Sequence, residues 1–201
     1  MSTSRVIAFA ALLLAAATLA AQPPVTSTGD PLDDCRTCHR PRAPGSGEVP
    51  VIEGQHADYL ELQLHYFLQR HRESFPMDAV AAEYGASRAS ELAAAAAALP
   101  WGGTRPKPAS AAASRGAKRA EELGCANCHG PDYVGAGVIP RLAGQGVGYL
   151  TRSIVEIALD EREHPEMPGR ERPLEEADAA TIAAYLATLA PKSPATPVPA
   201  R

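Results

Sequence analysis

Residues 35–39 read Cys-Arg-Thr-Cys-His, and residues 125–129 read Cys-Ala-Asn-Cys-His. Cys-x-x-Cys-His is the run at which a c-type haem is attached. Its two thiols add across the porphyrin vinyl groups, and the adjacent histidine is held beneath the iron. The two copies stand 90 residues apart. The same offset carries Pro41 onto Pro131, Gly45 onto Gly135, Gly47 onto Gly137 and Pro50 onto Pro140. It also carries Gly54-Gln55 onto Gly144-Gln145, Tyr59-Leu60 onto Tyr149-Leu150, and Met77 onto Met167. A repeat of this length means two copies of one small folding unit.

Each half thus supplies a histidine and, 38 residues later, a methionine. Imidazole and thioether form the axial pair of haems that transfer electrons. The expected attachment residues are Cys35, Cys38, Cys125 and Cys128, and the expected iron ligands are His39, Met77, His129 and Met167. Methionine is more often a gap-filler in a core. Here only three are present, one of them the first residue, and the other two lie at equal distance from the two histidines. Rival ligands stay open. His56, His65 and His71 have no histidine at the matching positions Gly146, Val155 and Glu161; His71 precedes Met77 by six residues, and His164 precedes Met167 by three. Zinc sites built from cysteine pairs space them by about 15–20 residues, which a separation of 90 does not match. All four cysteines of the chain are absorbed by the two motifs, leaving none for a structural disulfide.

Pro50 and Pro140 follow the histidines by eleven residues. Proline has no N–H, but its carbonyl can accept the histidine Nδ1–H and set ring orientation and basicity. Tyr59, Tyr149, Arg72 and Arg162 are candidates to bond haem propionates, with plain packing or solvent exposure an equally good account. Ile52 and Leu142 are expected on the porphyrin faces.

The N-terminus carries a lone cation, Arg5, an apolar run from Val6 to Leu19, and small residues to Ala21. This reads as an export signal over residues 1–21; the run falls short of the ~20 residues of a spanning helix. The expected location is the periplasm, where c-type haem is attached. The 201 residues bear a net charge of −4. Residues 22–100 hold six basic and eleven acidic side chains, and residues 114–191 hold eight and twelve. No basic stripe exists for nucleic acid, so the expected partners are proteins. With only three Phe and one Trp, two conventional cores are thinly supplied, whereas a porphyrin would fill much of each.

The expected domains are 22–100 and 115–191, joined by a Gly- and Pro-containing linker over 101–114 and followed by a Pro-rich disordered tail over 192–201. Helices are expected over Arg115–Leu123, ending at Gly124 as C-cap, over His56–Arg70 and Val147–Glu161, and over Ser87–Leu99 and Asp178–Leu189. No segment alternates like a strand. The fold class is all-α.

These residues together resemble the dihaem cytochrome c4 family, two class I cytochrome c domains in tandem. The resemblance rests on both Cys-x-x-Cys-His runs, on Pro50–Gln55 and Pro140–Gln145, on the Tyr-Leu pairs, and on Met77 and Met167, and it covers about residues 30–190. It implies two helical domains face to face, each wrapped round a covalently bound haem c with His/Met ligation, the propionate edges near their interface. It implies a periplasmic carrier of single electrons, not an enzyme. Expected partners are a quinol-oxidising complex, a terminal oxidase or a dehydrogenase, and the carrier is either free or peripherally bound to the membrane. The alternative is the dihaem cytochrome subunit of an oxidoreductase, such as a flavoprotein sulfide dehydrogenase or an alcohol dehydrogenase; a dihaem peroxidase would need an open axial position. Two features depart from the family. The first repeat lacks a full helix before Cys35, and Ala95 stands where the second has Tyr185, which weakens the aromatic clasp of its terminal helices.

Overall fold

The structure is a computed structural model and describes residues 29–39, 47–103, 110–162, 164 and 174–190. The expected signal (1–21), the tail (192–201), Met167 and the middle of the linker lie outside the described residues. In the first half come α1 (Asp33–Arg36), α2 (Ala57–Leu68), α3 (Met77–Tyr84) and α4 (Ala86–Ala97). The second half has α5 (Ala111–Glu122), α6 (Ala126–His129), α7 (Val147–Ala158) and α8 (Glu176–Leu186). Among the described residues there is no β-strand; pairing is confined to two isolated bridges, Arg72–Arg162 and Ala136–Ile139.

The 90-residue offset holds in three dimensions. It maps α2 onto α7 at both ends and α4 onto α8 to within one residue. Each of α2 and α7 turns one face inward, with Tyr59, Gln63 and Phe67 buried in the first and Tyr149, Ser153 and Ile157 at the equivalent positions in the second. That is the 3.6-residue periodicity of an amphipathic helix expressed twice.

The halves differ where the sequence departs from symmetry. α5 packs along α8, and they cross at Gly116, where an added Cβ would run into the Thr181 carbonyl oxygen. Glycine there lets the two backbones touch. Described residues 29–32, at the positions matching the end of α5, form only bends and turns. Consequently the second core is the larger, built from Leu123, Tyr133, Leu150, Ile154, Ile182 and Leu186 with several alanines. The first gathers Leu32, Leu92 and Ala96 against Leu60, Leu64 and Tyr84. Each fully buried large apolar side chain contributes about 1.5–3 kcal/mol, so the second half is the better stabilised by protein alone.

Several boundaries differ from expectation. α5 begins at Ala111, four residues before Arg115, because the Ser110 hydroxyl accepts the Ala113 N–H (3.1 Å) and caps a helix that takes in the preceding alanines. The linker's start is not a loose tether either: Gly102 N–H donates to the Glu53 carbonyl (3.1 Å), and the Arg141 guanidinium lies 5.3 Å from the centre of the Trp101 ring. α8 begins at Glu176 rather than after Asp178; Asp178 instead accepts from Arg119 Nε of α5 (3.1 Å) and so ties the two crossing helices. α3 adds a helix beyond those expected; its alanine-containing run Met77–Tyr84 carries good helix formers but is too short to show a clear apolar stripe.

Candidate haem sites

Both motifs fold into a single helical turn. His39 N–H donates to the Cys35 carbonyl (2.8 Å), and His129 N–H to that of Cys125 (3.1 Å). In the second half the turn is delivered by a helix stop. Gly124 takes φ +69°, Cys125 N–H reaches back to the Ala120 carbonyl (3.1 Å) and Gly124 N–H to that of Glu121 (2.9 Å). This six-to-one and five-to-two pairing needs a left-handed residue that glycine supplies without strain. No disulfide joins any of the four cysteines. Cys38 and Cys128 are exposed, while burial pushes the thiols of Cys35 and Cys125 up. Among the described residues no three of His, Cys, Asp and Glu converge as a metal cluster would require.

The histidines are prepared in the same way in both halves. His39 Nδ1–H donates to the Pro50 carbonyl (2.8 Å) and His129 Nδ1–H to the Pro140 carbonyl (3.1 Å). Burial pushes both imidazoles below their usual pKa, partly offset by these carbonyls, so each ring is neutral near pH 7. With Nδ1 committed to the proline, the Nε2 lone pair is the one available to a metal.

Met77 is the first residue of α3 and is half-buried. Of the rivals, His56 Nε2–H donates to the Val134 carbonyl of the other half (2.8 Å), His65 lies 3.9 Å from Glu61, and His71 packs on Tyr66 with ring centres 5.9 Å apart. His164 is different: its ring centre is 6.4 Å from that of His129. The aromatic partner of Tyr185 is Tyr133, met edge-on at 5.7 Å, in the loop after the second motif rather than on the first helix.

Sequence reasoning names Tyr59, Tyr149, Arg72 and Arg162 singly and misses that they form one buried cluster between the halves. The Tyr59 and Tyr149 hydroxyls are 3.3 Å apart, and Arg162 Nη2 donates to Tyr59 (2.8 Å) and to Gln63 Oε1 (3.1 Å). Arg72 Nη1 donates to the same Gln63 oxygen (2.8 Å). Each arginine is 7% exposed, and among the described residues no carboxylate pairs with either. Arg72 Nε and Ser153 Oγ have no hydrogen-bond partner. Burial opposes ionisation of Tyr149, yet the guanidinium charges of Arg162 and Arg72 draw its hydroxyl below the ordinary tyrosine range. Two buried cations without an anion are costly. A carboxylate carried by a bound group would balance them, and haem propionates have that chemistry, so the residues present fit the group.

The cytochrome c family profile matches residues 113–190. The thiosulfate dehydrogenase electron acceptor of Thiomonas intermedia (strain K12) is 33% identical over 151 residues, which span 70% of this chain and 67% of that protein. The solved cytochrome c4 of Acidithiobacillus ferrooxidans superposes with a TM-score of 0.68 at 28% identity, covering 78% of this chain and 99% of that one. The chain belongs to the dihaem cytochrome c4 family. A third match, thiosulfate dehydrogenase from Marichromatium purpuratum, has a TM-score of 0.66 at 27% identity and covers 77% of this chain but 36% of that one. As a c4-type cytochrome the protein is an electron carrier with two covalently attached haem c groups. The family profile covers the second half alone, where the α5–α8 crossing and the larger core are.

Proposed function

We propose that this cytochrome is a periplasmic carrier in which Cys35 and Cys38 attach one haem, with His39 and Met77 as its axial ligands, and Cys125 and Cys128 attach the other, with His129 and Met167. The observation that carries the assignment is the matched pair of histidines, His39 buried and His129 half-buried, each with Nδ1 committed to a proline carbonyl eleven residues on. When bound, each haem supplies a one-electron ferric/ferrous couple. The chain's own part is to fix the imidazole orientation through Pro50 and Pro140, to keep Nε2 unprotonated by burial, and to neutralise propionates through Arg72 and Arg162. The domain limits 22–100 and 115–191 belong to the same proposal, with α5 now extending the second unit back to Ala111.

Met167→His tests the ligation. A second imidazole in place of a thioether favours ferric iron, so one of the two redox waves is expected to move down while the other stays. Two unmoved waves would remove Met167 from the iron. The nearness of His164 to His129 favours His164 as the competing donor in that case. His164→Ala with retention of the long-wavelength methionine–iron band separates the two.

The proposed electron donor is a dehydrogenase that oxidises a reduced sulfur oxyanion such as thiosulfate. Its support is the 33% identity to a thiosulfate dehydrogenase electron acceptor over two thirds of that protein. Mixed with such a dehydrogenase and thiosulfate, the ferric protein is expected to be reduced in the stopped-flow, and to be left oxidised when either component is omitted. No reduction, with reduction by an alcohol or sulfide dehydrogenase instead, would replace this donor by the other.

A further inference from the structure

The Gly-Gln runs at 54–55 and 144–145 are the part of the repeat that the haem sites do not explain. Both glutamine side chains are buried, at 3% and 2% exposure, and both cross to the opposite half. Gln145 Oε1 accepts the Val51 N–H (2.8 Å), and its Nε2 donates to the Val51 carbonyl (3.0 Å). Symmetrically, Gln55 Oε1 accepts the Arg141 N–H (2.9 Å), and its Nε2 donates to the Arg141 carbonyl (3.0 Å). Each Oε1 also accepts the N–H of the next residue in its own half, from Gly146 (2.9 Å) and His56 (3.0 Å), which locks the amide in place.

Val51 N–H belongs to the same peptide group as the Pro50 carbonyl that holds His39, and Arg141 N–H to the one whose Pro140 carbonyl holds His129. We infer that Gln145 is a positioning residue for the haem histidine of the first half, and Gln55 for that of the second, so that each half sets the imidazole basicity in the other. This assignment requires His39 and His129 to be the iron ligands proposed above. A peptide that donates through its N–H becomes a better acceptor at its carbonyl, because hydrogen bonds in a chain polarise one another. A better acceptor at proline pulls harder on Nδ1–H and makes Nε2 more basic, which favours ferric iron. Loss of the glutamine bond therefore raises the potential of the opposite haem.

The test uses the full dihaem protein carrying Gln145→Met or Gln55→Met, side chains of similar length without the amide. The redox waves are assigned with single-haem cysteine variants. Gln145→Met is expected to raise the wave of the first haem and leave the second in place, and Gln55→Met to do the reverse. Amide exchange at Val51 should quicken about tenfold in Gln145→Met, as the loss of one buried hydrogen bond predicts. A shift on the haem of the mutated half, equal shifts on both, or no shift overturns the inference. If a methionine variant fails to fold, Gln145→Asn and Gln55→Asn keep a buried amide but withdraw it by one methylene. The same pattern of shifts is then expected, and the same departures from it overturn the inference. A parent protein with two haems but no hydrogen-bonded histidine Nδ1–H resonances would overturn the ligation reading itself, and is recognised before any variant is made.

Discussion

Replacing Cys125 and Cys128 together by alanine is expected to leave a protein with one covalent haem, held by the first half. Haem staining after denaturation, the mass of the intact chain and haem absorbance per polypeptide all read the loss directly. The second half should loosen as well. A unit of this size buries little of its surface without help, and Leu142, Val147 and Val155 lie only partly covered beside the core. Helicity should fall and Tyr133 and Tyr185 should become exposed. Burial, with the neighbouring Tyr185, pushes the Tyr133 hydroxyl up to about 12, so its ionisation should move back toward the ordinary tyrosine range. The mirror variant, Cys35→Ala with Cys38→Ala, should keep one haem on the second half with α5, α7 and α8 intact. Two covalent haems surviving in either variant would sink the attachment assignment, and none surviving would show that the halves cannot mature separately.

Gly116→Ala is expected to destabilise the second half, against the ordinary trend. In an exposed helix interior this change gains about 1 kcal/mol. Here the new Cβ would meet the Thr181 carbonyl oxygen and carbonyl carbon of α8, and these are backbone atoms that no rotamer can move aside. Overpacking of this kind costs about 1–3 kcal/mol, and Gly116→Val should cost more. For a unit of this size each kcal/mol corresponds to about 4–8 °C in Tm. Ser114→Ala on the exposed face of the same helix serves as a control expected near neutral. A Gly116→Ala protein as stable as its parent would mean that α5 and α8 do not touch at this point, and that the asymmetry between the halves has another origin.

Much of the site is legible without coordinates. The attachment motifs, the histidines and the prolines eleven residues beyond them are local patterns, and the structure brings each histidine to its proline. Helices α2 and α7 are also readable, because an apolar stripe at helical spacing survives any packing partner. The start of α5 is harder to place because Ser110 has linker composition, although serine before an alanine run is also a cap signal. Asp178 has the chemistry of a cap too, and its carboxylate is instead taken up by Arg119 from a helix 59 residues away in sequence. Tyr133 carries no signal at all: its role comes from a ring that approaches it from α8.

The sequence by itself determined that two copies of one helical unit are present, where the two Cys-x-x-Cys-His motifs lie, and which histidines have a proline eleven residues on. These follow from covalent chemistry and from periodicities no longer than a few turns, both of which are written in neighbouring residues. Tertiary structure alone decided how the copies meet. The contact of Tyr59 with Tyr149, the uncompensated arginines beside them and the exchange of Gln55 and Gln145 join residues 86–103 positions apart. A one-dimensional repeat shows that such residues are equivalent, but equivalence does not imply contact. It becomes contact only because the two units are packed face to face about a pseudo-two-fold axis, which places each repeated residue opposite its own copy or opposite the backbone its copy holds.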